Sequence, residues 1–530
     1  MGPMSDTLYD IAVIGGGASG MMAALSAAKT APGLRIAVLE RLNRVGKKLM
    51  ATGNGRCNLT NTNASEKDYH GAVAFMRPAM NAFPPRKVME RFMELGVYPN
   101  EEYGGRVYPL SDQASSVLDA LRLTLEENGV EEICDFEAVS LTRARDGYRL
   151  TAKDGRQLIA RRIICSAGGL TAPSLGGGAS GYQLLESCGH ELTPRFPALV
   201  QLKSDPELTR PLKGIKYTGK IDLIVDGRVR RTEEGEILFT EYGLSGIAVM
   251  QLSRIAAQAF AQKRPPAVSA RLHLLPMDKE EAFRLLRARR KTLSRRTLEN
   301  FLTGLINKRL GQMLIKWNTE LSLSLPASSL TDDHLAALAS ALTGWTLDIT
   351  GTQGFDQAQV TAGGVRTEDV DPHTMESLLA DGLYITGEIL DIDGDCGGYN
   401  LQWAWASGLM AGECCARSLT GEPSAPRPKE AGFVPHTAAA KESAPRHPRK
   451  TDAPGPSSGR PADTKKGFAP RTNPSARTDR PSPSAAQRPS SPAGHSGKQT
   501  SPRHSDHKFH PAPAGRSGKP SAKGMKKPHD

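Results

Sequence analysis

Between Ile11 and Glu40 the chain runs through an apolar stretch, Ile11-Ala12-Val13-Ile14, and then a glycine-rich turn, Gly15-Gly16-Gly17-Ala18-Ser19-Gly20. An alanine-rich segment follows, and then a second apolar stretch, Ile36-Ala37-Val38-Leu39, that ends in the acid. Four-residue apolar runs bounded by glycine are too short for helices and suit buried parallel strands. Gly15 permits the tight turn, and Gly17 lets a pyrophosphate approach the backbone. Gly20 lets the helix that begins around Ala18 and Ser19 pack closely on the strand. Phosphates held there face unpaired N–H groups and the positive end of the helix dipole. Glu40, with Arg41 beside it, is placed to accept hydrogen bonds from an adenosine ribose. A lone glycine triplet carries little weight, but strand, glycines, helix, strand and terminal acid in this order specify a dinucleotide site. The acid disfavours a 2′-phosphate and leaves FAD and NAD both open.

The next segment separates them. Gly46-Lys47-Lys48 and then Gly53, Asn54, Gly55, Arg56, Cys57 and Asn58 form a long polar, glycine-dense loop. A simple NAD dehydrogenase has no use for it, whereas a cofactor lying extended across the domain needs backbone donors and basic contacts for its second phosphate, ribityl chain and ring. An ordinary surface loop is the lesser alternative. Cys57 reads more simply as a small buried residue in such a loop than as a reactive thiol. GNGRCNLTN after GKKLMATG resembles the NAD(P)/FAD-dependent oxidoreductases of the aminoacetone oxidase and BaiN-like group, whose members keep FAD on a glutathione-reductase-like domain.

Composition divides the chain. Residues 421–530 hold 21 Lys and Arg against 8 Asp and Glu, an excess larger than the +12 of the whole chain, so the body before them is close to neutral. Those residues are dominated by Pro, Ser, Ala, Gly and basic side chains without apolar periodicity, and a disordered tail is expected. Contact of the tail with nucleic acid or an anionic surface is possible on charge. Its three aromatics, Phe433, Phe468 and Phe509, are few for stacking bases. Nothing approaches the roughly 20 apolar residues of a membrane span, and the N-terminus lacks a secretory pattern. Seven cysteines form no CxxC pair and no zinc spacing, so no metal is expected and a reducing, cytoplasmic location is. Without a redox dithiol the chain is not a disulfide reductase.

Along the body, Arg86–Leu95 and Ser115–Asn128 read as amphipathic helices, and 129–139 as a strand. The resemblance places a backbone contact to adenine near Val139. A hairpin around Asp154-Gly155 leads to Arg161–Gly169, where Ala167 and Gly168 are similar to the segment by which such flavoproteins return to the cofactor. From 194 to 344 short β-branched runs predict a small antiparallel β-barrel, followed by a helical stretch, Lys279–Trp317. Ten Lys and Arg against two Glu in 281–316 read as a solvated face. GEILFTEYGLSGIAVMQLS resembles the family's insert motif, with Glu241 and Ile247 where members have His and Pro. TAGGV with TMES, and TGEILDIDG with GGYNLQWAWASG, extend the resemblance over about Leu8 to Thr420. It implies that Gly387 and Glu388 meet the ribityl chain. It also implies that the helix start at Gly397, Gly398, Asn400 and Leu401 aims N–H groups at the flavin pyrimidine edge.

The sequence therefore reads as an α/β protein with a discontinuous, glutathione-reductase-like FAD-binding Rossmann domain (1–193 and 345–420). A β-barrel plus helical insert (194–344) caps the flavin and supplies the substrate pocket, and a disordered basic tail (421–530) follows. The expected activity is hydride transfer between a reduced donor, NAD(P)H or organic, and a small unsaturated or carbonyl acceptor, or oxidation of a small amine or ketone by oxygen. No second nucleotide fingerprint is present, so NAD(P)H would bind transiently, and no catalytic acid or base stands out. The alternative is an FAD-carrying RNA-binding or RNA-modifying protein that uses its basic tail to grip phosphates.

Overall fold

A computed structural model describes residues 8–421. The strand Leu8–Ile14 lies inside a seven-stranded sheet, parallel to Ile36–Leu39 on one side and to Gln157–Cys165 on the other. Glu131–Ile133 and Leu383–Ile385 extend the parallel part, and the antiparallel strands Ala138–Ala144 and Gly147–Ala152 complete it. Ile11, Val13, Val38 and Ile164 are wholly buried, as expected of strands covered on both faces.

The alanine content of the first helix, Ala18–Thr30, has a packing reason. The long helix Tyr399–Thr420 crosses it so closely that side chains on Gly408 and Gly412 would lie 2.5 and 2.1 Å from the carbonyl oxygens of Ser19 and Ala23. Ser26 Oγ donates to the Leu409 carbonyl at 2.8 Å across the same contact. The first and last motifs of the sequence are thereby pressed together.

The insert is a closed six-stranded barrel of Leu202–Ser204, Gly243–Ser245, Arg228–Phe239, Lys216–Val225, Val268–His273 and Trp345–Thr352. Tyr217, Phe239, Trp345 and Trp317 stack in succession within its separate hydrophobic core. Its sixth strand, Trp345–Thr352, lies past residue 344, the expected end of the insert. The helical stretch expected over Lys279–Trp317 consists of two helices, Lys279–Thr292 and Lys308–Thr319. Asn307 caps the second by accepting from the N–H groups of Arg309 and Leu310, while Leu298, Phe301 and Leu302 stay buried in the break and so preserve the apolar spacing. The single strand expected over 129–139 is likewise interrupted, at Cys134–Glu137. The helices Val73–Ala82, Ile247–Phe260 and Asp332–Gly344 are additional to those expected.

No helix among the described residues is long and apolar enough to cross a membrane. The expected disorder of 422–530 lies outside the described residues.

Candidate functional site

The three motif glycines do different work. Gly15 has φ +103°, and a side chain on it would meet the Ser166 carbonyl at 2.4 Å; one on Gly20 would meet the Gly15 carbonyl at 2.0 Å. Both are demanded by chain packing. Gly17, by contrast, has nothing within 4 Å of where its side chain would be, and it starts the helix without any side-chain cap. The helix start thus has no side-chain cap and leaves room beside Gly17, as an anion site requires. Gly168, at φ +71° after the strand Gln157–Cys165, is equally open, while Ala167 beside it packs against Gly181.

Glu40 accepts from the N–H groups of Gly16 at 3.0 Å and Leu42 at 2.9 Å. It is 9% exposed. Burial pushes its carboxyl above the ordinary range, against the pull of those two hydrogen bonds. Arg41 turns away to the carbonyls of Pro173 and Gly177, at 2.7 and 2.6 Å, and so ties the loop after Gly168 to the adenosine side. Val139 sits at a register shift of the antiparallel pair, skipped by the ladder and exposed.

In the polar loop Gly53, Asn54, Gly55 and Cys57 all have positive φ, and Asn54 and Gly55 are exposed. Arg56 is not a free cation: it pairs with Glu102 and Asp112 and lies 3.9 Å over the Tyr108 ring. Cys57 is fully buried, and burial pushes its thiol up to about 12. Neither offers the basic or reactive group that the sequence left open there. The loop's connection to the distant helix is made further on. Thr60 Oγ1 donates to Gln402 at 2.6 Å, Asn61 Nδ2 to the Gly397 carbonyl at 3.0 Å, and the Trp405 indole to the Leu59 carbonyl at 2.8 Å.

Gly387 meets the glycine turn directly, since a side chain on it would lie 2.4 Å from Ser19 Oγ. Glu388 next to it holds Lys48 Nζ at 2.7 Å and accepts from the Thr361 N–H at 2.9 Å and from Thr171 Oγ1 at 3.2 Å. Lys48 is the basic partner that the sequence placed only loosely, in a lysine pair.

Beyond Glu388 the loop Asp391–Gly398 leads to the helix Tyr399–Thr420, whose N-cap, Gly398 at φ +98°, supplies no side-chain cap. Asn400 pins the loop, taking the Gly394 N–H at 2.8 Å and donating to its carbonyl at 2.7 Å, and Leu401 packs on the core. Three residues of the insert grip the same loop from the other side. Arg254 bonds Asp393 at 2.8 and 3.1 Å, Arg231 bonds Asp395 at 2.6 and 3.2 Å, and Gln251 takes the Cys396 N–H at 2.6 Å. His70 adds a 2.9 Å contact to Asp395. The sequence signal for this clamp was the alternation Asp391-Ile392-Asp393-Gly394-Asp395; nothing in it named the arginines. Glu241, the departure from the family's His, is exposed and paired with Lys213. The open clefts of about 410 Å³ at Arg287 and Lys291 and about 550 Å³ at Leu95 and Leu123 lie apart from this frame.

Two helix starts without side-chain caps, an acid closing the second strand and an acid–lysine pair between them fit an extended dinucleotide whose far ring carries carbonyl acceptors and gains negative charge on reduction, as the flavin of FAD does. The fold and site define a Rossmann flavoprotein with an inserted barrel. Residues 9–414 match the HI0933-like protein Rossmann domain, and the chain belongs to that family of FAD-dependent oxidoreductases. It is 40% identical to the 3-dehydro-bile acid delta(4,6)-reductase of Clostridium scindens, over 77% of this chain and 98% of the relative. It is 30% identical to the ribosomal RNA dihydrouridine synthase of Escherichia coli, over 78% and 98%. Among solved structures it is similar to the 3-ketosteroid delta1-dehydrogenase of Sterolibacterium denitrificans, at 14% identity and a TM-score of 0.41, covering 78% of this chain and all of that one.

Proposed function

We propose that the protein reduces an electron-poor carbon–carbon double bond of a small organic molecule, taking hydride from NAD(P)H through its flavin. The observation that carries this reading is the contact of Gly387 with Ser19, which unites the glycine turn and the Glu388–Gly398 segment in one site with two uncapped helix starts. FAD bound there supplies hydride chemistry at its ring. The amides before Gln402 stabilise negative charge where the ring is reduced, Glu40 and the Gly17 amides hold the adenosine and phosphate end, and the insert excludes water from the reacting face. Both named relatives bear names that describe adding hydrogen to a double bond, in a bile acid and in uridine. An oxygen-consuming amine or ketone oxidase is the competing reaction within the same site. The reading places the protein in the reducing cytoplasm, in keeping with its free cysteines.

A second reading, RNA as the molecule reduced, is favoured by the ribosomal RNA relative and by Arg287, Arg290 and Lys291 lining one cleft of the insert. Anaerobic titration decides between the readings. NADH or NADPH should bleach the flavin, and enones should restore its colour while oxygen-free RNA does not. Recovery by RNA alone, with binding that falls steeply with salt, would establish the second reading.

A further inference from the structure

If FAD binds as proposed above, the flavin end of the site holds one further contact. The helix Tyr399–Thr420 begins at Gly398 without a side-chain cap, so its first-turn N–H groups lack partners within the helix. Asn58 lies against this start. It is 8% exposed, its Oδ1 has no hydrogen-bond partner, and a side chain on Gly398 would come within 2.9 Å of that oxygen. The residue is firmly held: Gly53, at φ +57°, approaches so closely that a side chain there would lie 2.8 Å from the Asn58 N. Leu59, Thr60 and Asn61 are each bonded to the helix or to the turn before it. A buried acceptor without a partner is costly, so a rigid one kept beside unpaired donors indicates a ligand that brings a donor.

We propose that Asn58 Oδ1 accepts the N3–H of the flavin pyrimidine ring while the amides of the helix start donate to the carbonyl next to it. Acceptor and donors side by side match an imide edge, in which an N–H is flanked by carbonyls. Phosphate, which offers acceptors only, matches the amides and not Asn58. Gly398 keeps the helix start tight against this loop, since a side chain there would meet the Thr60 carbonyl at 2.4 Å before it reached Asn58.

The test is titration of apoprotein with FAD and with FAD methylated at N3, followed by flavin fluorescence. Wild-type protein should bind the methylated flavin roughly ten- to a hundredfold more weakly, the usual consequence of an unmade buried hydrogen bond. Asn58→Ala should weaken FAD binding and bring the two flavins to equal affinity, whereas Asn58→Asp, which keeps an acceptor, should retain the discrimination. Equal binding of both flavins by wild-type protein overturns the assignment while leaving the FAD reading intact. So does discrimination that persists in Asn58→Ala. Binding of neither flavin by wild-type protein overturns the FAD reading, and the assignment with it. Melting curves show whether Asn58→Ala is folded; if it is not, the wild-type comparison alone decides.

Discussion

Arg254, on a helix of the inserted domain, holds Asp393 of the loop leading to the long C-terminal helix with two hydrogen bonds, at 2.8 and 3.1 Å. Asp393 is 2% exposed, so this is a buried ion pair joining the insert to the flavin-binding frame, and breaking it leaves a carboxylate without compensation. Arg254→Met should destabilise the protein by about 3–5 kcal/mol at neutral pH. Burial holds the Asp393 carboxyl above the usual range even with Arg254 present. A raised acid disfavours folding once it ionises, so the associated stability is present below its unfolded pKa and lost as pH rises through the folded one. The variant should therefore lose most at neutral pH and approach wild type in acid, as melting curves between pH 4 and 8 would show; a deficit independent of pH counts against the pair.

Asp395 behaves oppositely. Burial alone would raise its carboxyl, but hydrogen bonds from His70 and Arg231 hold it below the usual range. Its stabilisation is present above the unfolded carboxylate pKa and lost as pH falls toward the folded one. Arg231→Gln should thus cost stability at neutral pH and narrow the drop seen on acidification. An unchanged acid limb in the melting profile would show that Asp395 is not the group responsible.

The glycines of the first turn should separate by phenotype. Gly17→Val enters open space at φ −83° and should leave a folded protein that loads no FAD. Gly15→Val and Gly20→Val drive side chains into carbonyl oxygens and should fail to fold. Flavin content and circular dichroism of the three variants check this; a yellow Gly17→Val would remove the pyrophosphate from that turn.

The two ends of the cofactor should also respond differently. Glu40→Ala removes an acceptor on the adenosine side, and losing a charged hydrogen bond weakens FAD binding by about one to two powers of ten, with the flavin potential of reloaded enzyme unchanged. Gly398→Leu forces a side chain onto the Thr60 carbonyl and Asn58 and disturbs the amides that favour reduced flavin, so its midpoint potential should fall. Potentiometric titration at saturating FAD distinguishes them. Equal shifts in both variants would mean that the cofactor lies the other way round.

Ending the chain after Gly421 should leave FAD content and melting temperature unchanged, because the Pro-, Ser- and Lys-rich composition beyond it offers little to bury. A drop in either would show that those residues dock on the body.

What the sequence determined by itself is local. Ile11–Glu40 could hardly fold otherwise, because turn, helix start and strand ends are dictated by glycine conformations and four-residue apolar runs within a few residues of one another. The barrel too was legible, from alternation and turns. Only the tertiary structure decided what meets across the chain. Arg56 stands in the loop expected to contact the cofactor and is paired with Glu102 and Asp112, whereas Lys48, one of two adjacent lysines, holds Glu388. Arg231 and Arg254 sit on different elements of the insert, and in sequence they are indistinguishable from any solvated arginine. An ion pair between distant residues leaves no periodic trace, because its energy depends on burial and distance, and both exist only once the insert has closed on the loop from Asp391 to Gly398.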